Sequence, residues 1–231
     1  MACLIAYHGW GFDHTCWVDW RVYFQQKNHR FDCFDRGYFG QPHNPTFSGD
    51  RPYILLLHSY GLHLCPTNMI VAADTIVIFN SFLSFHPSEP RLKRRSQLTL
   101  QRMGDRCRTH PQEVLQAFWQ TCEAPNKSHP QRLSHSNYPL LQEDLSHLNA
   151  VNLTDQSAPV QAIKQTETVW VIHSSADKIV PWGQGATLAE AVATPSWNCI
   201  AAVGHGLPFS HPDHCWSLPP FTTLDSREHF S

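Results

Sequence analysis

Short apolar runs recur along this chain at 4–7, 31–34, 75–79, 168–172 and 197–203, and a longer one opens at Tyr53 and ends in His58-Ser-Tyr-Gly61. Runs of this length, bounded by glycine, proline or asparagine turns, predict strands buried on both faces, as in a parallel sheet. Between them the apolar positions fall at helical spacing. Phe12, Trp17, Trp20 and Phe24 mark one face of a helix over 12–24, and the stretches 62–73 and 183–193 predict two more. Pro66 sits inside the second of these and forces either a short first turn or a kink, because proline cannot donate to the helical ladder. Strands alternating with helices are the pattern of an α/β protein. From 82 to 149 the strand pattern disappears, and 91–108, 112–123 and 140–148 predict helices joined by Pro, Asn and Ser segments. The expected organisation is therefore one domain, with a core made of 1–81 and 150–231 and a helical cap inserted at 82–149.

Composition narrows the classes of function more than it selects one. A length of 231 residues fits a single α/β unit, and a net charge of −2 with 16% charged residues gives no overall pull toward nucleic acid or a membrane. No apolar stretch approaches the roughly 18 residues of a membrane helix, since Asp74 interrupts 69–79. The N-terminus lacks a basic lead before its first apolar run, which argues against a signal peptide and for a cytoplasmic location. The eight cysteines are scattered singly, as small buried hydrophobes in a reducing compartment would be. His205, His211 and His214 lie near one another around two prolines without a metal-ligand spacing, so no metal and no cofactor is expected.

Charge is uneven along the chain. Residues 91–108 hold seven of the seventeen basic side chains against one acid, which leaves the remainder at −8. Such a patch steers an anionic partner. Nucleic acid is disfavoured as that partner, because no aromatic interleaving or nucleic-acid motif accompanies the patch.

The chemistry centres on Ser59. A strand that closes on a sharp turn and enters a helix lifts the turn's serine clear of the sheet, as in the G-x-S-x-G nucleophile elbow; here Leu57 replaces the first glycine. Asp177 and His205 likewise follow strands directly. The order Ser, Asp, His is that of α/β-hydrolases. A serine hydroxyl needs a neutral imidazole to take its proton, and the imidazole needs a carboxylate to hold its tautomer, so His205 is the candidate base and Asp177 its orienting acid. Asp74 precedes a strand and Asp35 lies on an early loop, which makes both poorer candidates. The loop His8-Gly-Trp-Gly11 offers a backbone N–H at Trp10 that, with that of Tyr60, would receive an oxyanion. His8 is expected to stabilise its turn and His58 to pack beside the elbow.

With these residues in place the chain resembles the α/β-hydrolase superfamily, in particular the carboxylesterases of biotin synthesis that act on pimeloyl-[acyl-carrier protein] methyl ester. The motifs are His8-Gly-Trp-Gly11, Asp35-Arg-Gly-Tyr-Phe-Gly40, His58-Ser-Tyr-Gly61, Asn80-Ser-Phe-Leu-Ser-Phe-His-Pro87, Asp177-Lys-Ile-Val-Pro181 and Gly204-His-Gly206. The resemblance implies an α/β-hydrolase fold and an acyl carrier protein as partner. It assigns Arg91, Arg94, Arg95 and Arg102 of the cap to the carrier and its phosphopantetheine, and Phe82 to the acyl substrate. Two other readings stay open: an esterase or thioesterase for small free substrates, and a catalytically silent module that binds an acidic partner.

Overall fold

A computed structural model describes residues 1–49, 51–123, 136–193 and 196–226. Among the described residues six strands form one sheet: β1 (Cys3–Tyr7), β2 (Arg30–Cys33), β3 (Tyr53–His58), β4 (Thr75–Phe79), β5 (Thr168–Ser174) and β6 (Ser196–Ile200). Their order across the sheet is β2-β1-β3-β4-β5-β6, and every neighbouring pair is parallel. The helices are α1 (Val18–Gln26), α2 (Gly61–Leu64), α3 (Thr67–Ala72), α4 (Pro90–Thr109), α5 (Pro111–Glu123), α6 (Tyr138–Ala150), α7 (Ala158–Gln165), α8 (Trp182–Ala191), α9 (Leu207–Ser210), α10 (Pro212–Trp216) and α11 (Phe221–Ser226).

The apolar runs are continuous because both sheet faces are covered. Alternate residues serve opposite layers: Leu4, Ala6, Leu56 and Val77 face Trp17, Trp20 and Phe24, with Leu207 and Phe221 in the same layer. Ile5, Tyr7, Leu55, Leu57 and Ile76 face Ile70, Val160, Ile163 and Leu188. No helix among the described residues is long and apolar enough to cross a membrane. The eight cysteines are free thiols, six of them buried, with Cys16 partly exposed and Cys199 exposed.

Several boundaries differ from expectation for local reasons. Phe12 is outside the first helix: Asp13 accepts from the Thr15 N–H and caps a 3₁₀ turn at His14–Trp17, and α1 starts only at Val18. Phe12 packs instead with the cap residues. Pro66 divides the helix behind Ser59 into the short turn α2 and then α3. β6 stops at Ile200, and Ala202 takes a positive φ of 59° in the turn beyond it.

Helices α4, α5 and α6 pack on the loops at the carboxyl ends of the strands, around Leu100, Leu115, Trp119, Leu141 and Leu145. An ion pair between a buried acid and a partly exposed arginine fastens them there. Asp144 of α6 is fully buried and accepts from Arg36 Nε and Nη2 at 2.8 and 2.9 Å and from the Tyr38 hydroxyl at 2.6 Å. Arg36 and Tyr38 both belong to the loop after β2. Removing Asp144 would leave the buried Tyr38 hydroxyl and the partly buried Arg36 guanidinium without their acceptor. Asp144→Ala is therefore expected to lower stability by about 3 kcal/mol, read from the urea midpoint; a change within 0.5 kcal/mol, the size typical of a surface substitution, would show that this contact does not hold the layer down.

Candidate active site

Ser59 follows β3 directly and has φ +54°, a left-handed conformation that non-glycine residues adopt only when the surroundings hold them there. Its N–H donates to Phe79 O at 2.9 Å, and Ser81 Oγ donates to its carbonyl at 2.7 Å. Two glycines make room for the turn. A Cβ on Gly61 would sit 2.7 Å from Tyr7 O and 2.9 Å from His8 O, and one on Gly9 would sit 2.8 Å from Ser59 Cβ. Position 57 needs no glycine, because Leu57 is still within β3 and turns its side chain into the buried layer.

The three dispersed residues meet. His205 Nε2 is 2.9 Å from Ser59 Oγ, and its Nδ1 is 2.7 Å from Asp177 Oδ2. The carboxylate can only accept, so Nδ1 carries the proton and Nε2 is free to accept from the serine hydroxyl. Asp177 Oδ1 accepts from the N–H groups of Ile179 and Val180, both at 2.8 Å, while Oδ2 also accepts from Asn80 Nδ2 at 2.7 Å. Burial pushes the Asp177 carboxyl up, but His205, His173 and Asn80 outweigh it and hold the group below its ordinary value. The acid stays ionised beside its imidazole.

A ring of supporting residues surrounds this relay, and most of them have these roles without a local sequence signal for them. Asn80, at the end of β4 with φ +47°, holds Asp177 and also pairs with Ser174 Oγ at 3.0 Å. His58 Nε2 donates to the carbonyl of His205 at 3.0 Å, and His173 Nε2 donates to Val180 O at 2.9 Å. His8 accepts the Arg36 N–H on Nε2 at 3.2 Å and therefore donates from Nδ1 to Gly9 O at 2.8 Å, which fixes the glycine loop against Ser59. In the sequence Asn80 is marked by its place immediately after a strand, at the head of the 80–87 motif. Nothing local marks His173. Among the described residues, the backbone N–H groups of Trp10 and Tyr60 make no hydrogen bond to protein. Also among the described residues, no group of three His, Cys, Asp or Glu side chains is placed to hold a metal ion.

A cleft of about 390 Å³ opens over Ser59, walled by Trp10, Met103, Phe118, Leu145 and Ile179. Arg95 and Lys178 are its two cationic lining residues, and both are exposed. Arg91, Arg94 and Arg102 are exposed on α4 without lining it. Phe82 departs from expectation. It is fully buried and stacks on His63 at 4.8 Å, and Phe85 is the phenylalanine of that segment that lines the cleft. The difference arises because Phe82 is enclosed in the apolar cluster under α4–α6, against His63 and Phe85, and the chain reaches the cleft only three residues later.

An acceptor histidine at hydrogen-bond distance from a strained serine, with an ionised acid behind it, is an arrangement suited to acyl transfer: the hydroxyl loses its proton to Nε2 as its oxygen attacks a carbonyl. No family model and no curated protein matches the chain. Solved structures do. An esterase from Exiguobacterium antarcticum superimposes with a TM-score of 0.76 at 13% identity, covering 98% of this chain and 91% of that one. A bromoperoxidase from Bacillus anthracis gives 0.68 at 16%, covering 96% and 90%. MenH from S. aureus gives 0.64 at 13%, covering 97% and 92%. At such identities the likeness carries the architecture and not the activity, and over nearly its whole length this chain has the α/β-hydrolase fold.

Proposed function

We propose that the protein is a serine hydrolase of carboxylic esters. Ser59 Oγ attacks the ester carbonyl while His205 Nε2 takes its proton, and the same imidazolium gives that proton to the departing alkoxide, leaving an acyl-enzyme and an alcohol. Water, deprotonated by His205, then attacks the acyl carbon, and the proton returns to Ser59 as the acid is released. Asp177 holds the imidazole throughout, and the free N–H groups of Trp10 and Tyr60 receive the tetrahedral oxyanion. The observation that carries this reading is the Ser59–His205–Asp177 chain, at 2.9 and 2.7 Å, on the floor of an apolar cleft. It also argues against the silent binding module, which has no use for a serine held at positive φ against a base. Labelling by a fluorophosphonate probe tests it: the reading expects one adduct, on Ser59, and an unlabelled chain would overturn it.

Within that class we assign the substrate to the methyl ester of pimeloyl-[acyl-carrier protein], giving pimeloyl-[acyl-carrier protein] and methanol in biotin synthesis in the cytoplasm. The motifs quoted above and the basic face of α4 support that assignment. A small free ester or thioester is the second reading, favoured by the fact that only Arg95 of the four cap arginines lines the cleft. Charge reversal at Arg94 and Arg95 separates them. With a carrier-bound ester KM is expected to rise on the order of tenfold or more, with kcat nearly constant; an unchanged KM would hand the site to the small substrate.

A further inference from the structure

Helix α5 touches both halves of the catalytic machinery within four residues. The indole N–H of Trp119 donates to Gly11 O at 2.7 Å, and Trp119 is 3% exposed. Beside it, Phe118 packs edge-on against Trp10 at 4.9 Å and against Phe12 at 5.8 Å; a Cβ on Gly11 would come within 3.1 Å of its ring. In the last turn of the same helix, the Cys122 carbonyl accepts the N–H of Gly206 at 3.0 Å. Among the described residues that carbonyl has no partner within the helix, and the donor peptide is the one next to His205. From α6, Leu141 O accepts the Trp10 indole N–H at 2.8 Å, so the glycine loop is held from two sides.

We propose that α5 braces the catalytic loops, with Trp119 as a positioning residue that fixes the 8–12 loop and so the Trp10 amide. This rests on the ester-hydrolase reading above. Gly11 has φ +72° and Gly9 lies against Ser59, so these two positions have no side chain to anchor them and depend on what holds their carbonyls. His8 holds that of Gly9, and Trp119 holds that of Gly11. Phe118 lines the cleft and Trp119 does not. Trp119 therefore acts on the transition state through the amide it places, and not on the acyl chain. The cap thereby becomes part of the catalytic frame as well as a cover.

The test compares the full-length protein with Trp119→Phe, which keeps an aromatic ring beside Phe39 and loses the donor together with the rest of the indole. A second variant replaces Trp119 by benzothienylalanine, which matches the indole in shape and carries sulfur where the N–H was, for use if the phenylalanine variant folds poorly. On p-nitrophenyl acetate and octanoate alike, kcat is expected to fall on the order of tenfold, KM to stay within about twofold, and fluorophosphonate labelling of Ser59 to slow in parallel. Equal rates in the two proteins would overturn the brace alone. So would a loss that sits in KM and grows with acyl length, or one matched by the unfolded fraction. A wild-type chain that takes no label overturns the ester reading and the brace with it.

Discussion

Ser59→Ala is expected to lower kcat on a short p-nitrophenyl ester by roughly 10⁶-fold, because removing the nucleophile of such a relay alone costs about as much as removing all of it. What survives should be the residual acceleration from the oxyanion amides and substrate binding. Stability should barely follow. The variant loses one hydrogen bond to His205, worth about 1 kcal/mol, and keeps a Cβ at φ +54°. Ser59→Gly removes that Cβ as well, so it is expected to be equally inactive and at least as stable as the alanine variant. Steady-state rates on the two variants, beside their melting temperatures, decide the matter. Turnover within tenfold of wild type in either would take Ser59 out of the chemistry.

The second large effect is a loss of stability in mild acid. His8, His58, His63 and His173 all have pKa values below the ordinary 6.5, in each case mainly because burial strips water from the imidazolium; His63 is brought down to about 4. Their hydrogen bonds explain why the neutral forms are built in. His8 Nε2 is occupied as an acceptor, and the Nδ1 atoms of His58 and His173 are buried without a partner among the described residues. The native state therefore stays unprotonated at pH values where the unfolded chain has taken its protons. Unfolding then binds protons, so stability is fully present above 6.5 and is lost as pH falls from there toward the native values. His63 alone accounts for about 3 kcal/mol by pH 4. His8, His58 and His173 add to this loss in the same direction, against a total stability of roughly 5–15 kcal/mol. Asp177 and Asp35, both held below the ordinary carboxyl value, act only in a lower window, below about pH 4. Urea midpoints should be level from pH 8 to 7 and fall steeply between 6 and 5, and His63→Asn should flatten the fall. A midpoint that is the same at pH 8 and 5.5 would contradict the account.

How much of this was legible in the chain follows from what a local pattern can encode. The strands could be read because a sheet covered on both faces leaves no polar alternation to confuse the run, and the observed register follows those runs. Ser59, Asp177 and His205 could be read because parallel strands all end at one edge, so a residue just past each strand lies on the same rim. The helices of the cap, including α4 with its arginines, could be read from their periodicity, to within a few residues at each end.

Leu57 shows the limit of a motif read as letters. The glycine pattern describes a shape, and here Gly9 and Gly61 supply the clearance, from the loop after β1 and from the helix side. Phe82 and Phe85 belong to one phenylalanine-rich segment, and only the path of the backbone after β4 decides which is core and which faces the cleft.

The sequence by itself determined the alternation of strands and helices, the edge where the reactive residues gather and the chemical identity of those residues, since each of these is a property of neighbours along the chain. Tertiary structure alone decided the partnerships: Asn80 with Asp177, His58 with the His205 carbonyl, Arg36 with Asp144, Trp119 with Gly11. These pairs are separated by 97, 147, 108 and 108 positions. Their distances depend on how helices and sheet pack against one another, and no short stretch of residues carries that angle.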